Sequence, residues 1–351
     1  MTTDIQSPIC AMPHRHTEKI VLGHGSGGKM MTDLITQTFQ PPLANPALDA
    51  GNDAGVVQPP PHTKLAISTD AHVVSPLFFP GGDIGRLAIC GTVNDVAMMG
   101  ATPLYLTASF ILEEGLEISI LEKVVASMQS AAEEANVQVI AGDTKVVEKG
   151  KADGLYISTS GVGVVIAAHP VGGECAKPGD VVIVSGTIGD HGIAVLEARG
   201  DLGFQTQLKS DVAPLNHLIR EMLNVSDQVR VLRDPTRGGV ASALNEIAQQ
   251  SGVCVTLNES AIPVRPSVAA ACEILGFDPL YIANEGKLVA IVGPEDAPKI
   301  LDIMRQTRYG EDAVIIGEVQ ESPAGRLLMK TALGTTRVVD VLAGELLPRI
   351  C

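Results

Sequence analysis

Short runs of aliphatic and β-branched residues, about four at a time, alternate along this 351-residue chain with longer stretches whose apolar residues return every third or fourth position. This alternation is the strongest restriction on the fold. A period of two and a period of 3.6 bury their side chains differently, and layers of sheet and helix satisfy both at once. Leu65-Ala66-Ile67-Ser68, Val137-Gln138-Val139-Ile140, Tyr156-Ile157-Ser158-Thr159 and Val181-Val182-Ile183-Val184 are bounded by Gly, Pro or Asp and read as strands. Leu121, Val124, Val125, Met128, Ala131 and Ala132 share one helical face, and Val240, Leu244, Ile247 and Ala248 share another that Gly252 stops. Helices are also expected over 83–99, 267–275 and 295–307. Aromatic residues make up only 3% of the chain and Trp is absent, so the layers must pack on Val, Ile, Ala and Gly.

The expectation is a mixed α/β (α+β) fold. A chain of this length exceeds one average domain, and two are expected. The run AAHPVGGECAKPGD, with its prolines and glycines, interrupts the apolar pattern and suggests a boundary near 167. The organisation read from sequence is a leader over 1–18, a first domain over 19–167, a second over 168–345 and a tail over 346–351. Regular βαβ units are not evident in the first part, so a doubly wound sheet is not expected.

A formal charge of -15 with no basic cluster argues against a nucleic-acid groove. It also favours divalent cations as the bridge to any nucleotide, with Asp oxygens as ligands. No apolar run approaches the roughly 18 residues that span a bilayer, and the expected location is the cytoplasm. The six cysteines form no CxxC pair; Cys90, Cys254 and Cys272 sit in apolar runs and read as reduced, packed thiols. His14 and His16 lie in the polar leader and read as solvated.

Three local patterns carry candidate chemistry. Gly23-His24-Gly25-Ser26-Gly27-Gly28-Lys29 nearly fits a P-loop, but Met30 stands where a Mg²⁺-binding hydroxyl belongs, and no confident strand precedes it. Its backbone N–H groups and Lys29 remain suited to phosphate; a plain linker is the alternative. A series of aspartates lies near strand ends or beside glycine: Asp53, Asp70, Asp143 and Asp234, with Asp95 on a helical stretch. Each alone reads as a turn former or a cap, as Asp234 would be for a helix starting near Gly239; together they suit Mg²⁺. Asn284-Glu285-Gly286-Lys287 precedes an apolar run, and His191, in Gly189-Asp190-His191-Gly192, reads as structural. At the far end Cys351 is a thiol on a segment, Leu346 to Cys351, in which Pro348 favours an extended backbone.

Taken in order, GHGSGGK, STD, PLFFPGG, NDVA, GDTKVV, SGTIGDHG, DPTRGG, NEGKL and PRIC span nearly the whole chain and closely resemble the HypE family of hydrogenase maturation factors. That family sits among the ATP-using synthetases related to aminoimidazole ribonucleotide synthetase, selenophosphate synthetase and thiamine-monophosphate kinase. The resemblance implies a homodimer built on N-terminal sheets that close into a barrel, and ATP in a cleft beside it. It implies Mg²⁺ held at Asp70, Asp95, Asp143 and Asp234. It places Gly25, Ser26, Gly27, Gly28, Lys29, Asn94 and Thr144 with the nucleotide, and Asp53 at a position that varies among relatives. Lys145 and Glu285 would assist the chemical step. A carbamoyltransferase partner, HypF, would load Cys351 with a carbamoyl group. ATP-driven loss of water would make a thiocyanate, and the cyano group would pass to iron on a HypC–HypD complex. The tail is expected to alternate between docked and free states. The alternatives are a small-molecule kinase or synthetase of the same superfamily and a non-catalytic docking scaffold.

Overall fold

The computed structural model describes residues 18–25, 29–49, 59–200, 207–341 and 349–350. Among these, two sheets dominate. The first contains β1 (Leu65–His72), β4 (Ala101–Glu113), β5 (Gln138–Val147) and β6 (Leu155–Val165) in the order β1-β6-β4-β5, with a small ribbon, β2 (Phe78–Phe79) and β3 (Gly82–Asp83), beside it. The second is seven-stranded: β7 (Val181–Val184), β8 (Val229–Arg233), β9 (Cys254–Asn258), β10 (Val289–Val292), β11 (Val314–Gln320), β12 (Arg326–Lys330) and β13 (Thr336–Val338), ordered β13-β12-β9-β11-β7-β10-β8. The family of short apolar runs found in the sequence lies inside these strands. The expected helical stretches appear as Ile84–Met98, Ile118–Ala135, Gly239–Ser251, Pro266–Leu275 and Ala297–Gln306.

One expectation about connectivity fails. β4 and β5 are parallel, and helix Ile118–Ala135 crosses between them, which is a βαβ unit in the first domain. The sequence concealed β4 because Pro103 interrupts it, and a proline lacks the N–H that a central ladder needs. Pro103 is tolerated because the register with β6 shifts between Pro103 and Tyr105. The remaining pairs of this sheet, β1 with β6 and β4 with β6, are antiparallel, so the sheet is mixed and not doubly wound.

Helices Ile84–Met98 and Ile118–Ala135 cover one face of the first sheet, burying Leu87, Ile89, Val93, Leu121, Val124 and Met128 against Leu106, Phe110 and Leu112. Asp83 starts the first of these helices by accepting from Gly85 N–H at 2.7 Å and Arg86 N–H at 3.2 Å. Asn136, in the left-handed region at φ 55°, ends the second. The opposite face of the sheet stays open and partly apolar, with Ile67 72% exposed and Leu65 and Ile111 beside it.

The two sheets share a core. Val195, Val212, Ala283 and Ile350 join the apolar cluster of the first domain, while Ala97 and Met98 join one of the second. A polar staple reinforces the join. Glu134 receives Arg86 Nη1 at 2.8 Å, Arg308 Nη1 at 3.0 Å and the Tyr309 hydroxyl, and Arg86 Nε donates to Val212 O at 3.0 Å. Burial works against the Glu134 carboxylate, but the hydrogen bonds from Arg86 and Tyr309 prevail and hold it below the usual range.

Candidate active site

The acidic residues gather where the two sheets meet. Ser68, Asp70 and His72 fall on the helix-facing side of β1, and helix Ile84–Met98 approaches closely because Gly91 lies opposite. A Cβ there would sit 3.0 Å from His72 Cε1 and 3.2 Å from Asp70 Oδ2. One turn further on, Asp95 accepts from Ser68 Oγ at 2.7 Å. From the second sheet, Asp234 follows the last residue of β8 directly. A cleft of about 450 Å³ lies between, lined by Ser68, Asp95, Gly173, Arg233 and Asp234 among others.

Asp234 does not cap the helix at Gly239, whose N-cap is Gly238 with no side-chain cap. Its place is fixed instead by Asn284. The Asn284 amide donates to Pro235 O at 2.9 Å and Ile282 O at 3.0 Å, and its oxygen accepts from Gly189 N–H at 2.7 Å. This fully used amide ties the turn carrying Asp234 to the segment carrying Glu285. Glu285 is 4% exposed, and its Oε1 is buried with no hydrogen-bond partner among the described residues. Its backbone N–H donates to Asp211 Oδ1 at 3.0 Å, and Lys287 Nζ lies 3.3 Å from Asp211 Oδ2. Gly286 is required here, since a Cβ would meet Asp211 O at 1.7 Å.

Crowding of like charge shows in the titration of the cluster. Burial first, then the neighbouring Asp234, Asp211, Asp70 and Asp95, raise the Glu285 carboxyl well above its ordinary value. Burial and Asp95 raise Asp234 to about 7, and burial raises Asp95, with Asp70 adding to it. Yet among the described residues no three acids, imidazoles or thiols stand close enough to hold a metal ion by themselves. That pattern fits Mg²⁺, which is commonly held by one or two carboxylates while phosphate oxygens and water complete its shell. A preformed cage would suit Ca²⁺ or Zn²⁺ better.

Other predicted residues fall elsewhere. Asp70 and Asp143 lie within strands and not at their ends. Asp143 pairs across the ladder with Ser109, Ser109 with Ser158 and Ser158 with Ala71, so it stands three strands from β1, about 14 Å at the usual spacing. Its side chain and that of Lys145 are on the open face, joined at 2.9 Å, and the Lys145 hydrogen bond holds the Asp143 carboxyl below its usual range. One chain therefore does not bring Asp143 and Lys145 to Asp70, Asp95 and Asp234. Asn94 is buried and spent on structure, donating to Ala213 O at 3.0 Å and accepting from Leu215 N–H at 2.8 Å. Thr144 is buried on the helix-covered side of β5. Of the glycine loop, Gly25 ends a 3₁₀ turn, Leu22–Gly25, and Lys29 begins helix Lys29–Leu34. Ser26, Gly27, Gly28, Asp53 and Cys351 lie outside the described residues.

No motif or spacing singles out Asp211, Ser210 or Arg199, all of which contribute to this region. His191, which reads as structural in the sequence, is fully buried, and its partner is unexpected: its Nε2 lies 2.7 Å from the carbonyl oxygen of Ile350. Ile350 itself is 3% exposed, packed in the cluster with Val195, Val212 and Ala283. Burying such a side chain stabilises a docked segment by about 2 kcal/mol. Arg349 O accepts from Ser75 N–H at 3.3 Å and from Arg199, and the Arg349 guanidinium pairs with Asp153.

Comparison with known proteins agrees with this arrangement of domains. Residues 51–165 match the N-terminal domain of AIR synthase related proteins, and residues 177–330 match their C-terminal domain. The chain is 54% identical over 333 residues to the carbamoyl dehydratase HypE of Cupriavidus necator, covering 95% of each. Among solved structures it is similar to the hydrogenase maturation protein HypE in complex with ATP, at 47% identity and a TM-score of 0.91, covering 94% of this chain and 99% of the other. It is also similar to HypE from a HypE–HypF complex, at 49% identity and a TM-score of 0.77, with 90% and 100% covered. With both domains matched and nearly the full length shared at this identity, the chain belongs to the HypE family of AIR synthase related proteins.

Proposed function

We propose that this chain is an ATP-dependent carbamoyl dehydratase that acts on its own C-terminal cysteine in hydrogenase maturation. The observation that carries the reading is the burial of Ile350 in the same apolar cluster as Ala283, two residues before the buried Glu285. Ala283 leads in two residues to Glu285, whose carboxyl is buried and raised and whose Oε1 has no hydrogen-bond partner among the described residues. A free-substrate kinase gives no reason for burying Ile350 there.

In the proposed reaction, the oxygen of an S-carboxamide on Cys351 attacks the γ-phosphoryl of ATP, and ADP leaves. Two protons then depart from the nitrogen, the C–O bond breaks, and phosphate is expelled to leave a thiocyanate. Transfer to phosphate turns a poor leaving group into a good one. Glu285 is the base: burial and the neighbouring carboxylates favour its taking up a proton, and Asp211 and Gly286 fix its backbone. Asp70, Asp95 and Asp234 would hold Mg²⁺, which would offset the charge that develops on the phosphoryl oxygens. The backbone N–H groups over 25–28 and Lys29 serve the phosphates, with Asp53 and Thr144 carried over from the family at its nucleotide positions.

The remote pair Asp143 and Lys145 fits if two chains act together. The open face is partly apolar, and β1 and β5 are its two edges. Two such sheets give eight strands, the number at which a barrel interior is filled by side chains. Closure would bring β5 of one copy, with Asp143 and Lys145, beside the β1 edge of the other, the strand that carries Asp70. HypF as the loading partner and a HypC–HypD complex as acceptor complete the proposal, with the cytoplasm as location.

Intact-protein mass spectrometry tests it. After incubation with the carbamoyltransferase, carbamoyl phosphate and ATP, the C-terminal peptide should gain a carbamoyl group and then lose one water only when ATP and Mg²⁺ are present. An unmodified tail, or turnover of an exogenous substrate that survives Cys351→Ala, would overturn the reading in favour of the kinase.

A further inference from the structure

The segment Arg349-Ile350 does not merely lie on the surface; it enters a receptor that hydrogen-bonds it through His191 and Arg199. His191 is fully buried at the start of helix Asp190–Ala198, with the edge of its ring set against Phe79 at 5.5 Å between centroids. The only hydrogen-bond role open to the Ile350 carbonyl is acceptor, so the hydrogen of the imidazole must sit on Nε2. Nδ1 then accepts from the Ser210 hydroxyl at 2.8 Å. That hydroxyl is itself oriented, since its oxygen accepts from Val212 N–H at 3.1 Å. Ser210 in turn is fixed by its own N–H, which donates to Pro80 O at 2.7 Å. Burial pushes the imidazole toward its neutral form, which this chain of donors requires.

The geometry points to His191 as a positioning residue for the tail: locked in one tautomer by Ser210, it grips the Ile350 carbonyl and sets where the cargo-bearing terminus meets the catalytic cleft. The Ile350 side chain supplies the apolar half of the grip, in a pocket that includes Val195, Val212 and Ala283. Little room is left for variation, because the Ile350 Cδ1 lies 3.4 Å from where a Cβ on Gly192 would stand. Arg199, which donates to Ser75 O at 2.6 Å and to Arg349 O, holds the preceding residue. A receptor built on one carbonyl and one branched aliphatic side chain selects a short, defined peptide, the chain's own Arg-Ile, in preference to a small-molecule substrate. The inference rests on the reading that Cys351 carries the group being dehydrated.

Two measurements on the full-length protein test it. The first is structural: the rate at which trypsin cuts between Arg349 and Ile350, followed by intact mass as loss of the terminal dipeptide. His191→Ala should speed this cut about tenfold, the equivalent of one lost buried hydrogen bond. His191→Gln, which keeps a donor near the Nε2 position, should stay within about threefold of wild type, and Ser210→Ala, which frees the tautomer, should fall between. The second is kinetic: protein already carbamoylated by HypF receives ATP and Mg²⁺, and water loss is timed. His191→Ala should slow water loss about tenfold while leaving the rate of carbamoylation unchanged, and His191→Gln should restore most of it. Should His191→Ala fail to fold, Ser210→Ala carries both measurements. Unchanged tryptic and dehydration rates in these variants would overturn the proposal, as would equal impairment in the Ala and Gln variants. If wild type loses no water at all, the dehydratase reading falls, while the tryptic comparison still decides whether His191 holds the tail.

Discussion

At the scale of single residues, the acids of the cleft were visible in the sequence but their division of labour was not. Asp70, Asp95 and Asp234 stood out by their context, and the structure brings them together. Local pattern shows Glu285 only as a polar residue ahead of an apolar run, and its burial and its unpartnered Oε1 set it apart. Asp211 gave no signal, because its role is to hold the Glu285 backbone from 74 residues away, a contact that exists only once the chain has folded. We predict that Glu285→Gln, which keeps the volume and removes the base, lowers water loss by about 10²-fold or more. Carbamoylated protein should accumulate, which mass spectrometry of the tail would show. Asp234 offers a separate test through stability. Its carboxyl is raised in the folded state, so folding binds a proton that the unfolded chain releases, and stability falls as pH climbs from about 3.8 toward about 7. Asp234→Asn should therefore raise the melting temperature at pH 7.5 but leave it nearly unchanged at pH 4, while nucleotide binding in the presence of Mg²⁺ is lost.

Among the secondary-structure elements, periodicity recovered the amphipathic helices well and the fully buried strands unevenly. Helix Ile118–Ala135 was legible because one face is apolar and the other charged. β4 was missed because it is apolar or half-buried along its length and carries Pro103, so no period-two signal survived. The placement of Asp143 and Lys145 depended on that missing strand, since β4 is what separates β5 from β6 and β1. The turn before β10 is the most sensitive element. Gly286→Ala would drive a Cβ into Asp211 O, and we expect a loss of about 3 kcal/mol in urea denaturation, with the Glu285 function lost as well.

For the molecule as a whole, the open face of the first sheet and the acidic cleft make linked predictions. Ile67→Asp places a charge at the exposed apolar residue on the β1 edge of the open face, and it should shift the protein toward monomer in light scattering. If Asp143 and Lys145 complete the neighbouring copy's site, ATP turnover should fall with dimer content and not with the stability of each chain. The cleft should also respond to its ligands. Mg²⁺ with ATP relieves the repulsion among Asp70, Asp95, Asp234 and Glu285, so together they should stabilise the fold more at pH 8 than at pH 6. At a hundredfold excess over the dissociation constant the gain is about 2.7 kcal/mol, measurable as a thermal shift.

The buried seat of Ile350 has a consequence for kinetic order. A substrate tied to the enzyme by its own backbone meets the cleft at a concentration set by the length of the tether, not by the cell. Dehydration should then be first order, with a rate independent of protein concentration wherever the dimer stays intact. A carbamoylated peptide added from solution would compete with it only at very high concentrations. Under the proposed function supply is limited in the same way: each cleft would have one arm and would stand idle until that arm had been emptied and loaded again.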